Sequence, residues 1–252
     1  MSWPRSPLER DGDGFTLMVS EELCGSGGWL YGGWGMGLLT EALQLTSQRS
    51  LLDLSVNFLR PVAQDARLQV RCERLASGRA LGHYRVNAFD DGALALAGAA
   101  VLGPAPGQPE HVAAPRVAPP EECPERPYLV MPGKGVAVML DVRTAGEHLG
   151  AGVASTMLLW GRLRCDTSGA VRLAVLSDHI PYLLRRAFPE LTRASTVSAT
   201  LRVVGAPVAD WVLFEVSLLT RADHLAVGRV SMWSEGAGLV AVGEQTSRLT
   251  SS

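Results

Sequence analysis

The stretch Arg85-Val86-Asn87-Ala88-Phe89-Asp90-Asp91-Gly92 decides how the chain is read, because its pattern returns as Arg229-Val230-Ser231-Met232-Trp233-Ser234-Glu235-Gly236. In each copy an Arg-Val pair is followed three residues on by an aromatic, then by an acid-Gly turn pair and an apolar run. Working outward, each copy is preceded by a strand with a Ser (Ser55, Ser198), a proline-containing turn (Pro61, Pro207) and an Asp (Asp65, Asp210). The copies lie 144 residues apart, too far for a solenoid unit, whose period is roughly 20–50 residues. The pattern is that of a duplicated domain. Duplication matters for function because one half can keep its shape while only the other keeps a site.

Between the copies, nine of the 15 prolines fall from Pro104 to Pro132, among Gly, Ala and Glu. That composition predicts an extended linker over the surface. It divides the chain into an N-terminal unit (1–103), a Pro-rich linker (104–134) and a C-terminal unit (135–252). In the first unit, a strand over Phe15–Val19 leads into a glycine-rich turn and then a helix over Trp34–Gln48. Gly37, Thr40, Glu41, Gln44, Ser47 and Gln48 share one narrow stripe of that helix. Apolar residues fill the rest, as expected of a buried helix with one thin wet face. Strands are expected over Leu54–Leu59, Arg67–Leu75, Leu81–Ala88 and Leu94–Leu102. The second unit repeats the plan: strands over Gly135–Val142 and Ser155–Arg164, an apolar helical stretch over Val171–Phe188, then strands over Ser195–Val204, Trp211–Leu219, Leu225–Trp233 and Leu239–Thr246. A buried helix followed by an antiparallel meander long enough to wrap it is an α+β layout. The expected fold is a double hotdog, two tandem units each with a long central helix wrapped by an antiparallel sheet.

Composition narrows the function classes. The chain of 252 residues is 47% apolar and 19% charged with a net charge of −2, which suits a globular protein and gives no electrostatic footprint for nucleic acid. No apolar run of about 18 residues predicts a membrane span, and the charged start Met1–Asp13 lacks the apolar core of a signal peptide. Cys24, Cys72, Cys123 and Cys165 show no metal-ligand spacing, so neither a metal nor another cofactor is expected. Reduced thiols in a cytoplasmic protein are the reading. Lys134 is the only lysine; a bias toward Arg, Ala, Gly and Val explains this more simply than an arginine surface chosen for phosphate.

The polar groups that break apolar patterns are the candidates for chemistry. Asp178 and His179 interrupt an otherwise apolar helical segment, and Pro181 cannot donate to the carbonyl of Ser177, so a kink or break is expected beside the acid. Spacing leaves two roles open for Asp178, capping the second helical piece or chemistry. Strict alternation on the following strand puts Ser195, Val197, Ala199, Leu201 and Val203 on the helix-facing side and Thr196, Ser198, Thr200 and Arg202 on the other. Ser195 is then the one hydroxyl at the rim of an apolar face, and Gln245 shares a face with Leu239, Ala241 and Gly243. A Ser bonded to nearby backbone and a structural amide are the bland alternatives.

The chain resembles the TesB-like acyl-CoA thioesterases. Tyr31-Gly32-Gly33 opening a helix is similar to that family's Phe-Gly-Gly-Gln start. Ser55-Val56-Asn57-Phe58-Leu59-Arg60-Pro61 is similar to its Ser-containing strand ending in Phe-Leu-Arg-Pro, and Glu73-Arg74-Leu75 with Gly78-Arg79 to its strand-turn pattern. In the second half Trp160-Gly161-Arg162, Leu176-Ser177-Asp178, Ala194-Ser195, Trp211-Val212-Leu213 and Val240-Ala241 ahead of Gln245 occur in family order. The resemblance implies a catalytic trio of Asp178, Ser195 and Gln245, an acyl-CoA or acyl-carrier thioester substrate, and a homo-oligomer. It departs from the family at Trp34, which replaces the Gln after Gly-Gly, and at Val197-Ser198, where many members carry Asp-His.

Thioester hydrolysis makes modest demands, since a thiol with a pKa near 8.5 leaves with little acid catalysis. Asp178 would take or orient the water proton, with Ser195 and Gln245 holding the water. Backbone amides around Gly32, Gly33 and Trp34, at a helix N-terminus, are candidates to bind the substrate oxyanion, although tight helix packing explains those glycines equally well. Arginines such as Arg185, Arg186 or Arg202 would meet CoA phosphates. Two rivals stand beside hydrolysis: a hydratase or dehydratase using His179 or His83, and a non-catalytic acyl-thioester-binding protein. No Gly-x-Ser-x-Gly elbow or phosphate loop is present.

Overall fold

A computed structural model describes residues 7–25, 27–107, 112–127, 134–150, 154–234 and 238–251. The first half contains β1 (Glu9–Asp11), β2 (Gly14–Met18), α1 (Gly32–Ser47), β3 (Ser50–Phe58), β4 (Arg67–Ser77), β5 (Gly82–Asp90) and β6 (Ala93–Gly103). The second contains β7 (Leu140–His148), β8 (Thr156–Leu163), α2 (Gly169–Leu176), α3 (Ile180–Ala187), β9 (Leu191–Val203), β10 (Val212–Arg221), β11 (Leu225–Ser234) and β12 (Gly238–Ser251). The strands form one antiparallel sheet in the order β1-β2-β4-β5-β6-β3-β9-β12-β11-β10-β8-β7. Each half contributes six neighbouring strands, and the halves join where β3 pairs with β9. Ser55 and Ser198, the matched residues of the repeat, sit either side of the Val56↔Ala199 pair. That pairing gives the junction a local twofold relation. Arg85-Val86 and Arg229-Val230 fall on β5 and β11, which hold matching places in the two halves.

The strip of α1 expected to be wet is instead the seam between helices. α2 packs antiparallel along it. Ser168, the N-cap of α2, donates to the Gln44 side chain near the end of α1 at 2.7 Å, while Gly33 near its start lies against Val175. A Cβ on Gly33 would stand 2.3 Å from the Val175 carbonyl oxygen, and one on Gly37 would stand 2.8 Å from the Val175 side chain. Two glycines one turn apart therefore let the backbones approach, which hydrogen in place of a side chain alone permits. The other faces of α1 bury Trp34, Met36, Leu38, Leu39, Ala42 and Leu43.

The break expected beside Asp178 is present: the helical stretch over Val171–Phe188 is two eight-residue helices, separated at Ser177–His179, with Pro181 in the first turn of the second. Proline fits a first turn because its missing N–H needs no partner there. The strand expected over Gly135–Val142 begins as a 3₁₀ turn over Gly135–Val138, and the strand proper starts at Leu140. The proline-rich segment is also tied to the sheet's β7 end: Arg126 N–H donates to Val142, Thr144 N–H to Pro124, and the Trp160 indole to Ala118.

Candidate active site

At the break between α2 and α3 the chain turns Asp178 inward, and three elements converge on its carboxyl. The backbone N–H of Gly33, in the first turn of α1, donates to Oδ2 at 2.9 Å. On the other oxygen, the Thr196 hydroxyl of β9 donates to Oδ1 at 3.1 Å and the Gln245 amide of β12 donates to it at 2.6 Å. The Gln245 amide also donates to the Thr196 hydroxyl, closing a triangle. Tyr31, the residue before α1, donates its phenol to the Asp178 main-chain carbonyl at 2.5 Å. Asp178 and Gln245 are buried, 8% and 4% exposed. Burial pushes the Asp178 carboxyl above the ordinary carboxylate range, against the opposing pull of the Gln245, Thr196 and Gly33 hydrogen bonds. Gln245 Oε1 is buried with no partner within hydrogen-bond reach.

Asp178 does not cap α3, whose N-cap is His179 without a side-chain bond. It caps α1, whose own N-cap residue, Tyr31, makes no side-chain capping hydrogen bond. A carboxylate suits that position because the first-turn N–H groups are unpaired and the helix dipole is positive there. The helix that accepts the acid belongs to the other half of the chain, so spacing around Asp178 carries no sign of it.

The hydroxyl at the carboxylate is Thr196, not Ser195. The β9–β12 register steps from Thr246↔Ser198 to Ser247↔Thr196, leaving Val197 as an extra residue. Such a bulge shifts the side-chain phase by one. Ala199, Leu201 and Val203 stay buried as alternation requires, but beyond the bulge the inward position passes to Thr196. Ser195 lies opposite Arg248 and lines the outer part of the cavity.

Asp178 and Thr196 open onto a cavity of about 1030 Å³, while Gln245 is buried and does not line it. Leu30, Tyr31, Phe58, Leu96, Leu140 and Tyr182 line much of it, and Asp178 is the one carboxylate among its lining residues. Gly32 lines it too, and a Cβ there would stand 2.6 Å from Asp178 Oδ2. Trp34 does not line the cavity; its side chain is buried in the core. The Gly33 N–H serves Asp178 and so does not stand ready for an oxyanion. Of the arginines expected to meet phosphate, Arg185 lines the cavity. Arg186 is engaged by Glu147 through two hydrogen bonds of 3.0 and 2.9 Å, and Arg202 lies 3.4 Å from Asp53.

His179 is turned away from this chemistry. Its Nδ1 lies 2.9 Å from the Leu176 carbonyl, which can only accept, and its ring packs on Phe214. Burial, with the Arg126 charge, holds its pKa well below the usual imidazole range, so it is neutral. The thiols are no better placed as nucleophiles. Burial and the Asp65, Glu21 and Glu22 charges push Cys24 up to about 11, and burial pushes Cys165 to about 11. Among the described residues no group of three or more His, Cys, Asp and Glu is placed to hold a metal, and no helix is long and apolar enough to cross a membrane.

Comparison with known proteins gives this geometry a context. The profile of the acyl-CoA thioesterase N-terminal domain matches residues 20–103, and that of the acyl-CoA thioesterase C-terminal domain matches residues 111–249. Among solved structures, a putative thioesterase from Novosphingobium aromaticivorans is 27% identical, with 98% of this chain and 100% of that one covered and a TM-score of 0.85. A conserved protein with a hot dog fold from Alicyclobacillus acidocaldarius is 20% identical over 97% of this chain and 96% of its own, TM-score 0.83. A TesB protein from Mycobacterium avium subsp. paratuberculosis is 18% identical over 96% and 95%, TM-score 0.81. No curated protein matches the chain in sequence.

Proposed function

Since the chain belongs to the acyl-CoA thioesterase family and is a thioester hydrolase, we propose that it hydrolyses acyl-CoA by water activation at Asp178, Thr196 and Gln245, within a double hotdog whose units are 1–103 and 135–252, joined by 104–134. The observation that carries this reading is the convergence of a carboxylate, a hydroxyl and an amide, from three separate elements, with the carboxylate and the hydroxyl lining one cavity.

Asp178 is the base. Its Oδ2 is anchored by the Gly33 N–H, so the carboxylate cannot swing, and its Oδ1 faces Thr196 and Gln245. The buried Gln245 amide holds Asp178 and Thr196 in place, and a water in this corner of the cavity gives one hydrogen to Asp178. Its free lone pair then points at the thioester carbon. A raised carboxyl pKa improves the base, since proton transfer works best when the acceptor lies nearer the operating pH. Water oxygen bonds to the carbonyl carbon as its proton passes to Asp178, and the tetrahedral intermediate collapses by breaking the C–S bond. The thiolate leaves without strong acid assistance and takes up a proton. Gly32 and Gly33 serve by holding the base, and Tyr31 fixes the backbone that carries it. No observation favours a hydratase: His179 packs into the core and His83 lies exposed on β5.

The experiment is thiol release from a panel of acyl-CoAs of graded chain length, with wild type and Asp178→Asn. Hydrolysis by wild type that is lost in the variant is expected. Equal slow release from both would discard the assignment, and a new absorbance from hydroxyacyl thioesters without thiol release would favour the hydratase.

A further inference from the structure

The joint between the halves leaves a gap in the sheet. β3 and β9 pair only from Asp53↔Arg202 to Asn57↔Ser198. β3 ends at Phe58, where the chain departs through Leu59, Arg60 and Pro61, whereas β9 extends back to Leu191. Among the described residues, β9 from Thr192 to Val197 therefore has β12 on one edge and no strand on the other. Both lips of the gap, Leu59–Val62 and Thr192–Val197, line the cavity that reaches Asp178. The gap is its mouth, and the free strand edge presents N–H and C=O groups to whatever passes through.

Charge at this mouth is one-sided. Arg60, Arg193 and Arg248 line it and are exposed. Among the described residues none of the three takes part in an ion pair or a side-chain hydrogen bond, although ten other arginines form ion pairs. Arg193 lies opposite Thr250, and Arg248 opposite Ser195, so the two arginines are diagonal neighbours on one sheet face. Such neighbours stand about 7–8 Å apart at the backbone, a spacing from which two guanidiniums reach one diphosphate. The cavity lining offers no carboxylate but Asp178 to neutralise them.

The geometry points to a phosphate-recognition site at this mouth, in which Arg60, Arg193 and Arg248 bind the phosphates of the thiol portion while its amide-bearing arm threads the gap between β3 and β9. The inference rests on the thioesterase reading and deepens it by naming the residues that recognise the carrier. Three guanidiniums suit a small thiol with several phosphate charges, coenzyme A, better than the single phosphodiester of a carrier protein's prosthetic arm. It also sets a direction: carrier outward through the gap, acyl group inward beyond Asp178.

Calorimetry with coenzyme A, 3′-dephospho-coenzyme A and pantetheine tests the site without requiring turnover. Wild type should bind coenzyme A at least about tenfold more tightly than pantetheine, with the advantage shrinking as salt rises. In Arg193→Ala/Arg248→Ala the two ligands should come within about twofold, while the double lysine variant should keep part of the preference. Equal binding of both ligands by wild type, no binding of coenzyme A, or an alanine variant with undiminished preference would overturn the site. Faster hydrolysis of an acyl thioester on carrier protein than on coenzyme A would overturn the choice of carrier. Failure of the hydrolase reading shows elsewhere, as indifference of thiol release to Asp178→Asn, so the two failures are distinguishable.

Discussion

α1 and the α2–α3 pair hold matching places in the two halves, yet one is a continuous sixteen-residue helix and the other is broken after eight. The unbroken helix carries glycines where its partner carries bulk, and brings no acid to its own first turn. The broken one turns Asp178 inward at the break. Each is incomplete alone: α1 has first-turn N–H groups to satisfy, and Asp178 is a buried carboxylate needing donors. The difference teaches that the candidate site is shared between the halves. One half supplies the carboxylate, and the other supplies the helix end that holds it.

The comparison breaks most sharply at Asp178. Asp178→Asn keeps an oxygen for the Gly33 N–H but removes the base, so thiol release should fall by about 10²–10⁴-fold with the melting temperature unchanged or higher. The sign follows from the raised folded-state pKa: ionising this carboxyl costs stability as pH rises from the unfolded value through the folded one, and the amide removes that cost. A melting temperature that drops steeply would make Asp178 structural first. The pair Thr196→Val and Ser195→Ala tests the phase of β9: the first should lower kcat by roughly 10–100-fold and the second should change it little. The reverse order would restore the unbulged register.

Between the helices, Gly33→Ala should cost about 1–3 kcal/mol in urea unfolding, because its Cβ would meet the Val175 carbonyl at 2.3 Å. An unfolding midpoint equal to that of wild type would mean the seam can open freely. The smallest effect is one of pH. Activity should fall on acidification through an apparent pKa above the ordinary carboxylate range of about 4, because burial raises Asp178. Thr196→Val, having lost one of the opposing hydrogen bonds, should move that limb slightly higher; a shift the other way would place the hydroxyl outside the first contacts of the carboxylate.

Much of the molecule was legible one residue at a time. Apolar periodicity located α1 and eight of the later strands to within a few residues, because burial of a face imposes its period on any sequence that folds this way. Pro181 beside Asp178 announced the break. Two things escaped. The stripe of Gly37, Thr40 and Gln44 read as wet because small and polar residues suit solvent as well as a close helix contact, and only the partner helix decides between them. Strict alternation gives the inward place to Ser195 rather than Thr196, and nothing in Val197 signals that the ladder steps over it.

Sequence by itself determined the repeated pattern, the order of helix and strands in each half, and the identity of the two polar groups, Asp178 and Gln245, that interrupt apolar surfaces. Those are local matters, set by which side chains water rejects. Tertiary structure alone decided that Asp178 caps a helix 145 residues away, that Thr196 completes the triangle, and that the sheet parts between β3 and β9. The physical reason is that an unpaired N–H, a bulge and a strand's missing neighbour are properties of two segments in contact, and neither segment encodes them alone.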